Sequence, residues 1–280
     1  MVNSETGIIG LIGHPVAHSK SPQMHNASLR NLGLNDIYLA FDVKPENLKD
    51  AIQGMRALYF KGCNVTIPHK VNVIPFLDEI SEEAARIGAV NTIVNKDGKL
   101  IGYNTDGEGY LRSLKEETGF QLHGKRIMIL GAGGASRAIS YTLSHQPIEG
   151  IVLVNRDLNK ANALLNELKQ TDFHKAITYH ELPYEMEQVD LIINTTSIGM
   201  YPNIKETLIK KEWIQPHHLV SDIVYNPLET KLLQDAKAQG AKIHSGLGMF
   251  IYQGVIAFEK WTGITPDTNI MRRVVLDSIV

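Results

Sequence analysis

An uninterrupted apolar segment that runs straight into a cluster of glycines constrains the fold of this chain more than any other feature. Residues 125–130 read KRIMIL, which predicts a buried strand, and glycines dominate 131–134. The next residues predict a helix at 137–143, and a second apolar strand is predicted at 151–154. A helix between two apolar strands is typical of a βαβ unit, whose strands are parallel. The segment therefore predicts a parallel sheet.

Alternating strands and helices occupy most of the chain, in two successive blocks. In the first block the pattern predicts strands at 7–13, 38–43 and 62–67, helices at 21–32, 48–58 and 81–87, and a hairpin at 89–103 that turns at Asp97-Gly98. A polar helix at 108–117 follows, and the second block then adds strands at 189–194, 219–223 and 242–245 and helices at 158–170 and 230–239. This alternation indicates mainly parallel sheets with helices on both faces.

We therefore expect an α/β fold with two domains. The N-terminal α/β domain, with a mainly parallel sheet, spans 1–107 and is completed by C-terminal helices in 246–280, because a helical tail after a complete domain often packs back onto the first one. A Rossmann-type domain spans 108–245. A cleft between the two domains is the expected place for ligands.

Composition argues against several classes of partner. The 280 residues carry a net charge of −2, with a pI of about 6.6, so neither nucleic acid nor an anionic membrane surface is expected as a partner. No apolar run reaches the roughly 18 residues of a membrane span, and no signal peptide is expected. The single cysteine, Cys63, lies in a strand-like segment and predicts a buried, inert thiol in a reducing compartment. We expect a cytoplasmic protein, with monomer and homodimer both open.

The glycine cluster after the apolar strand predicts a dinucleotide site. Glycines between a strand and a helix let the backbone approach a diphosphate, and the positive end of the helix dipole then faces the negative charge. The segment Gly131-Ala132-Gly133-Gly134-Ala135 provides this arrangement, with Ser136 in place of the usual third glycine. We expect residues 131–135 to bind the cofactor.

The residues after the next strand distinguish NAD from NADP. An NAD site places an acid there for the ribose 2′-hydroxyl, whereas an NADP site offers arginine to the 2′-phosphate. Asn155 stands where the acid is expected, and Arg156 favours NADP because a guanidinium group binds phosphate bidentately. Asp157 is also expected among the cofactor contacts, but it argues against NADP, because a carboxylate beside a phosphate repels it. The loop at 194–200, which contains Thr195, is assigned to the nicotinamide side of the site.

A candidate proton-transfer site begins in the segment Asn64-Val65-Thr66-Ile67-Pro68-His69-Lys70. Proline suits the first position of a helix, which would place Lys70 in the first turn, where the helix dipole disfavours a cation. A lysine in that position is either solvated or used to exchange a proton. Asp106 would be its partner in a proton relay, and the alternative role of Asp106 is a helix N-cap.

Polar residues at other strand ends suit a small polar substrate. Ser19 and Ser21 flank a predicted helix start that can bind a carboxylate, although Ser21 before Pro22 also suits a helix cap. Asn91 offers both a donor and an acceptor to hydroxyl groups. The histidines at 14, 18 and 25 share no helix and have no carboxylate or cysteine with them, so no metal site is expected.

Several of these segments together resemble the shikimate dehydrogenase family. The matching segments are Gly13-x-Pro15-x-x-His18-Ser19-x-Ser21-Pro22-x-x-His25-Asn26, Asn64 to Lys70, Gly88-Ala89-Val90-Asn91-Thr92, Tyr103-Asn104-Thr105-Asp106-Gly107, Gly131 to Ala135, and Asp222-Ile223-Val224-Tyr225-Asn226-Pro227. The resemblance implies the reversible NADPH-dependent reduction of 3-dehydroshikimate to shikimate, in aromatic amino-acid biosynthesis.

The resemblance also implies roles for individual residues. The substrate carboxylate is implied to bind Ser19, Ser21 and Tyr225. The ring oxygens of the substrate are implied to bind Thr66, Asn91, Asp106 and Gln253. Lys70 is implied to be the proton donor or acceptor, with Asp106 as its partner. The implied cofactor contacts are Gly131 to Ala135, Asn155, Arg156, Ile223, Gly246 and, through a weaker Ser81-Glu82 match, Glu82.

Two alternatives stay open on the sequence. The family usually has Asn-Arg-Thr in the 2′-phosphate loop, where this chain has Asp157 instead of the threonine. That departure favours a quinate/shikimate dehydrogenase that uses NAD. A dinucleotide-binding sensor without turnover is the other alternative, and the presence of both Lys70 and Asp106 argues against it.

Overall fold

The chain divides into two compact units, each built around its own sheet. The computed structural model describes residues 2–279. One unit comprises the residues up to Thr105 together with those from Ile251 onward, and the other comprises Asp106–Phe250. The sequence prediction placed the corresponding boundaries after residues 107 and 245. The functional assignment of the two domains remains a prediction.

The first unit contains a mixed six-stranded sheet. Its strands are β1 (Gly7–Gly13), β2 (Asp36–Asp42), β3 (Gly62–Val65), β4 (Glu79–Ile80), β5 (Thr92–Lys96) and β6 (Lys99–Tyr103), in the order β2-β1-β3-β5-β6-β4. The helices α1 (Ser21–Asn31), α2 (Leu48–Ala57) and α3 (Glu82–Ile87) connect them. β1, β2 and β3 are parallel, whereas the hairpin of β5 and β6 is antiparallel and turns at Asp97-Gly98 as predicted.

The second unit contains a six-stranded sheet whose pairs are all parallel. Its strands are β7 (Arg126–Leu130), β8 (Gly150–Val154), β9 (Lys175–Ile177), β10 (Leu191–Asn194), β11 (Leu219–Asp222) and β12 (Lys242–His244), in the order β12-β11-β10-β7-β8-β9. The helices are α4 (Asp106–Thr118), α5 (Gly134–Ser144), α6 (Leu158–Asn166), α7 (Leu182–Glu185) and α8 (Lys231–Ala238). The Rossmann-type arrangement predicted from the sequence is confirmed.

Two helices end the chain. α9 (Gly246–Thr262) begins in the second unit and continues in the first, and α10 (Thr268–Leu276) belongs to the first. Within the first unit α10 packs against α1. No helix among residues 2–279 is both long and apolar enough to cross a membrane.

Alternating side chains along β7 show why the second sheet needs helices on both faces. Ile127 and Ile129 belong to one apolar cluster, with residues of α4, α5 and α6. Met128 and Leu130 belong to another, with residues of α8. Because successive residues of a strand point to opposite faces, a continuous apolar run is buried only when both faces are covered.

The segment around Lys70 differs from the prediction. No α-helix begins at Pro68 within the described chain; residues 67–73 form turns, and a short 3₁₀ helix follows at Ile74–Phe76. The N–H of His69 donates to the carbonyl of Thr66 at 2.9 Å, and the His69 Nε2 donates to the carbonyl of Val43 at 2.6 Å. The first bond closes a compact turn, and the second attaches it to the residue that follows β2. The helix-dipole argument for Lys70 therefore does not apply.

Two further expectations about helices were wrong. The helix predicted at 158–170 ends at Asn166, because the N–H of Glu167 already bonds to the carbonyls of Leu164 and Leu165 in a tightened last turn. Ser21 does not cap α1: it is the first helical residue, Lys20 occupies the N-cap position, and the Ser19 Oγ accepts the Ser21 N–H at 3.3 Å. The buried state predicted for Cys63 is confirmed.

His25 lies inside an aromatic cluster of the first unit. Its ring stacks on Tyr38 with centroids 4.4 Å apart and meets Trp261 edge-on at 5.4 Å. Neither ring nitrogen has a hydrogen-bond partner among the described residues. Burial therefore lowers the pKa of His25 to about 3, because the cation would be desolvated without compensation.

We expect His25 to make the protein acid-sensitive. Its pKa in the folded state lies below the ordinary value of 6.5, so its contribution to stability is complete above pH 6.5 and is lost as the pH falls toward 3. Between pH 7.5 and pH 4.5 the wild-type free energy of unfolding should fall by about 2–3 kcal/mol more than that of His25→Phe. Urea denaturation at the two pH values measures this, and an equal fall in both proteins would contradict it.

Candidate functional site

The carboxyl ends of three neighbouring strands lie at one level in the second unit. Asn194, the last residue of β10, is paired in register with Leu130 of β7 on one side and Asp222 of β11 on the other. Ligands of parallel α/β sheets bind beyond the carboxyl ends of the strands. The loops that follow these three residues are therefore the expected location of a ligand site.

The glycine loop after β7 is shaped by close backbone packing. Gly131 has a φ of +101°, and a Cβ atom there would lie 2.9 Å from the Thr196 Cγ2, so a side chain fits neither the conformation nor the space. The Ser136 Oγ donates to the Gly131 carbonyl at 2.7 Å. Serine thus replaces the usual third glycine and also satisfies a buried backbone acceptor.

The N-terminus of α5 fits a diphosphate group. Gly133 is the N-cap residue, and in the described chain neither a capping side chain nor an acidic residue of the first turn serves this helix end. Gly133 and Gly134 are exposed, and a Cβ atom at either would meet no described atom within 4 Å. Backbone N–H groups at an open, uncapped helix end form a site for an anion. Ala132 and Ala135 lie half-buried in the same turn.

The loop after β8 gives Asp157 a structural role. Its carboxylate is the N-cap of α6 and accepts hydrogen bonds from the N–H groups of Asn159 at 3.0 Å and Lys160 at 3.3 Å. The Asn155 Nδ2 donates to the Asp157 carbonyl at 2.9 Å, and Arg156 is exposed. One oxygen of the Asp157 carboxylate is therefore engaged by the helix, and the exposed guanidinium group of Arg156 is the charged group suited to phosphate.

We expect Asp157 to stabilise α6 rather than to bind ribose. Asp157→Ala should lower the free energy of unfolding by about 1 kcal/mol, because two helix N–H groups lose their acceptor, whereas Asp157→Ser should retain most of the stability. Denaturant unfolding of both variants measures the difference. Equal stability of Asp157→Ala and the wild type would show that the cap contributes nothing.

Three further predicted cofactor contacts occupy neighbouring loops of the same unit. The Thr195 Oγ1 donates to the Leu130 carbonyl at 2.6 Å, so its hydroxyl ties two loops together. A Cβ atom at Gly246 would lie 2.2 Å from the Ile223 carbonyl oxygen, which brings these two predicted residues into direct contact. Tyr225 stacks on Phe250 with ring centroids 4.6 Å apart, and its burial raises the pKa of its hydroxyl.

Asp106 begins α4 in the second unit. The residue is buried, and its neighbour Gly107 lies against α5, where a Cβ atom would be 2.6 Å from the Ala138 carbonyl oxygen. The first turn of α4 can therefore pack on α5 only with glycine at 107. The sequence pattern gave Asp106 a candidate role but gave no sign of this helix contact.

In the first unit, buried polar side chains connect several of the predicted substrate contacts. The Asn91 Nδ2 donates to the Thr105 Oγ1 at 3.0 Å, and the Thr105 N–H donates back to the Asn91 Oδ1 at 2.9 Å. The Thr105 Oγ1 also donates to the Gln253 carbonyl at 3.1 Å. The Asn64 Nδ2 donates a further bond to the Asn91 carbonyl at 3.2 Å. Thr105 and Asn64 thus hold Asn91 in place, and no local sequence pattern predicts these bonds.

The Lys70 turn is joined to the same region through its backbone. The Lys70 carbonyl accepts the Val90 N–H at 2.8 Å, one residue before Asn91, and the Thr66 N–H donates to the Ile12 carbonyl at 2.9 Å. Lys70, Thr66 and Ser19 are all half-buried, whereas Glu82 is exposed in the first turn of α3. The structure thus brings Thr66, Lys70, Asn91 and Gln253 to one part of the first unit and places Asp106 and Tyr225 in the second.

The histidines considered for a metal have other surroundings. The His14 Nδ1 pairs with the Asp42 Oδ1 at 2.7 Å, and His25 lies in the aromatic cluster described above. Among residues 2–279, no three His, Cys, Asp or Glu side chains are grouped so that they could hold a metal ion.

Family models match most of the chain. The shikimate dehydrogenase substrate binding domain matches residues 11–93, shikimate / quinate 5-dehydrogenase matches 113–224, and the shikimate 5′-dehydrogenase C-terminal domain matches 246–276. A shikimate dehydrogenase (NADP(+)) from Methanocaldococcus jannaschii is 49% identical over 283 residues, which cover 100% of this chain and 99% of the relative. The chain belongs to the shikimate dehydrogenase family.

Solved structures agree with this family membership. A shikimate dehydrogenase in complex with NADP+ matches with a TM-score of 0.95 and 49% identity, covering 100% of this chain and 98% of the other. A shikimate 5-dehydrogenase from Listeria monocytogenes, in complex with shikimate and NAD, matches with a TM-score of 0.91 and 38% identity, covering 98% of each chain. The fold of this oxidoreductase family therefore extends over the whole chain.

Proposed function

We propose that this protein is an NADP-dependent shikimate dehydrogenase, which interconverts shikimate and 3-dehydroshikimate in aromatic amino-acid biosynthesis. The observation that carries the proposal is the pairing of an uncapped glycine-rich helix start with Asn155-Arg156 after the next strand, in a chain 49% identical to a shikimate dehydrogenase named for NADP(+). Oxidation of an alcohol to a ketone removes a hydride and a proton. Bound NADP supplies the hydride acceptor, and a residue of the chain must accept the proton.

Lys70 is the residue we assign to that proton. In the direction of oxidation its amine accepts the proton of the substrate hydroxyl, and in the reverse direction its ammonium returns it. Asp106 is assigned as the partner that orients the same hydroxyl. The backbone bond from Val90 to Lys70 supports the assignment, because it fixes the lysine turn beside Asn91.

The remaining polar residues are assigned to substrate binding. Ser19, Ser21 and Tyr225 bind the carboxylate, and Thr66, Asn91 and Gln253 bind ring oxygens. The α1 start supports the first assignment, because the Ser21 N–H and the Ser19 hydroxyl lie together at a helix end without an acidic residue in its first turn.

The cofactor is assigned to residues of the second unit. Gly131 to Ala135 would hold the diphosphate, Asn155 and Arg156 would hold the 2′-phosphate, and Thr195, Ile223 and Gly246 would contact the nicotinamide side. Asp157 supports the phosphate loop as the cap of α6. Glu82 is a weaker assignment, since an exposed position in the first turn of α3 is all that supports it.

The two alternatives lose their support in the sequence. The NAD-using quinate/shikimate dehydrogenase was favoured by Asp157, whose carboxylate is engaged by helix N–H groups. The sensor requires loss of Lys70 or Asp106, and both are present. Absorbance at 340 nm with shikimate or quinate and NADP⁺ or NAD⁺ tests all three: we expect turnover mainly with shikimate and NADP⁺, and no turnover with any pair would favour the sensor.

We further propose that the protein acts in the cytoplasm on small molecules, without nucleic-acid or membrane partners, as a monomer or a homodimer. The single cysteine, Cys63, supports a reducing compartment, because one cysteine cannot form a disulfide within the chain. Burial raises the pKa of its thiol and keeps it unreactive. Light scattering during gel filtration distinguishes a monomer of 31.1 kDa from a homodimer.

Arg156 should determine the preference for NADP. Arg156→Ala should weaken NADPH binding by about ten- to hundredfold and leave NADH binding within about twofold, because only NADPH carries the 2′-phosphate. Fluorescence titration measures both affinities. Arg112→Ala, which removes a cation from α4, is the control and should change neither; equal losses for both cofactors in Arg156→Ala would contradict the assignment.

Lys70 should be needed for turnover more than for binding. Lys70→Ala should lower kcat by about 10²–10⁴, as expected for loss of a proton-transfer group, with a modest change in the KM for shikimate. Lys99→Ala removes a lysine of β6 that pairs with Glu79 and is the matched control. Near-normal kcat in Lys70→Ala would refute the assignment.

A further inference from the structure

Asp222 is a buried acid in the second unit to which the proposed function gives no task. The residue is 1% exposed at the carboxyl end of β11. Its hydrogen-bond partners among residues 2–279 are neutral: the Asn194 Nδ2 at 3.0 Å, the Val224 N–H at 3.0 Å and the Thr230 Oγ1 at 2.7 Å. Burial outweighs these bonds and raises the pKa of Asp222 to about 6. A buried carboxylate without a cation is costly, which calls for a reason for its presence.

The partners of Asp222 belong to different loops. Asn194 begins the loop after β10 and also holds it, since its Oδ1 accepts from the Thr196 N–H at 3.1 Å and the Thr196 Oγ1 at 2.7 Å. Val224 lies in the loop after β11, and Thr230 is the N-cap of α8. One carboxylate thus joins two loops at the carboxyl edge of the sheet to the start of a helix.

Each of these loops carries residues assigned to the cofactor or the substrate. The loop after β10 packs on the glycine loop, where Thr196 limits the space beside Gly131 to a hydrogen atom. The loop after β11 contains Ile223 and Tyr225, and the Val224 carbonyl accepts the N–H of Gly246 at 3.3 Å. A shift of the Asp222 carboxylate would therefore move contacts on the nicotinamide side without touching the 2′-phosphate loop after β8.

We propose that Asp222 is a positioning residue, which fixes the loops after β10 and β11 so that they bind the nicotinamide half of the dinucleotide and present Tyr225 to the substrate. The inference rests on the proposed function for the identity of the cofactor. Asp222 acts through Asn194, Val224 and Thr230, and it exchanges no proton with the substrate.

The chain offers a matched carboxylate for comparison. Asp190 precedes the opposite end of β10, where its Oδ2 accepts the Arg126 N–H at 3.0 Å and its Oδ1 pairs with the Lys125 Nζ at 2.7 Å. It supports the same sheet but lies at the amino ends of the strands. Asp190→Asn therefore reports on general loss of stability without a change at the cofactor edge.

Asp222→Asn tests the proposal by binding rather than by activity alone. NADPH and adenosine 2′,5′-bisphosphate, which lacks the nicotinamide half, are titrated calorimetrically against the wild type and both variants. We expect Asp222→Asn to bind NADPH about ten- to hundredfold more weakly and the fragment within about twofold of the wild type. Asp190→Asn should bind both as the wild type does. Equal NADPH affinity in Asp222→Asn and wild type, or equal losses for NADPH and the fragment, overturns the proposal.

Thr230 provides a second route if Asp222→Asn does not fold. Thr230→Val removes the hydroxyl that bonds to Asp222, whereas Thr230→Ser keeps it. The proposal requires weaker NADPH binding in Thr230→Val with unchanged fragment binding, and recovery in Thr230→Ser; the same affinities in both variants overturn it. Wild-type protein that fails to bind NADPH overturns the proposed function itself and the positioning role with it.

Discussion

The parallel register that brings Leu130, Asn194 and Asp222 to one level is the constraint on which the chemistry of the second unit depends. Parallel pairing ends neighbouring strands at the same edge, and each strand then releases a loop into the same space. Loops alone would not hold a fixed geometry, because their backbone groups could bond to water. Here Asn194 and Asp222 satisfy the N–H groups of Thr196 and Val224 directly. The sheet therefore determines where the loops begin, and the side chains at its edge determine how they continue.

In the first unit, neutral side chains hold the backbone in a fixed geometry. Asn91 and Thr105 exchange two hydrogen bonds, and Thr105 extends the connection to the backbone of α9 at Gln253. Buried amides and hydroxyls are stable only when each has a hydrogen-bond partner. Few side-chain conformations of this cluster satisfy that condition. Such rigidity suits a region assigned to a substrate with several hydroxyl groups. Each hydroxyl then bonds to a protein group that is already oriented.

The local sequence pattern predicted most of the strands and helices, but it did not predict the tertiary contacts between distant residues. The apolar run of β7 and the Asp97-Gly98 turn have local causes, and both appear as predicted. The helix expected at Pro68 does not form; the ring of His69 instead bonds to the carbonyl of Val43, just after β2, a contact that no local pattern reveals. The residue types at Lys70 and Asp106 marked them as candidates. Asp222, Thr105 and Gly107 matter through partners distant in sequence, and only the folded chain shows those partners.

Asp157 shows how a residue type considered alone can miss a structural role. An acid after the second strand of a dinucleotide fold binds ribose only if its carboxylate is available to the ligand. In this chain the same carboxylate accepts two N–H groups from the first turn of α6, which also fixes the loop that carries Arg156. A negative charge near a phosphate site is tolerable when the positive end of a helix dipole offsets it. Asp157 and Arg156 can therefore be neighbours, because the carboxylate caps the helix while the guanidinium group is left for phosphate.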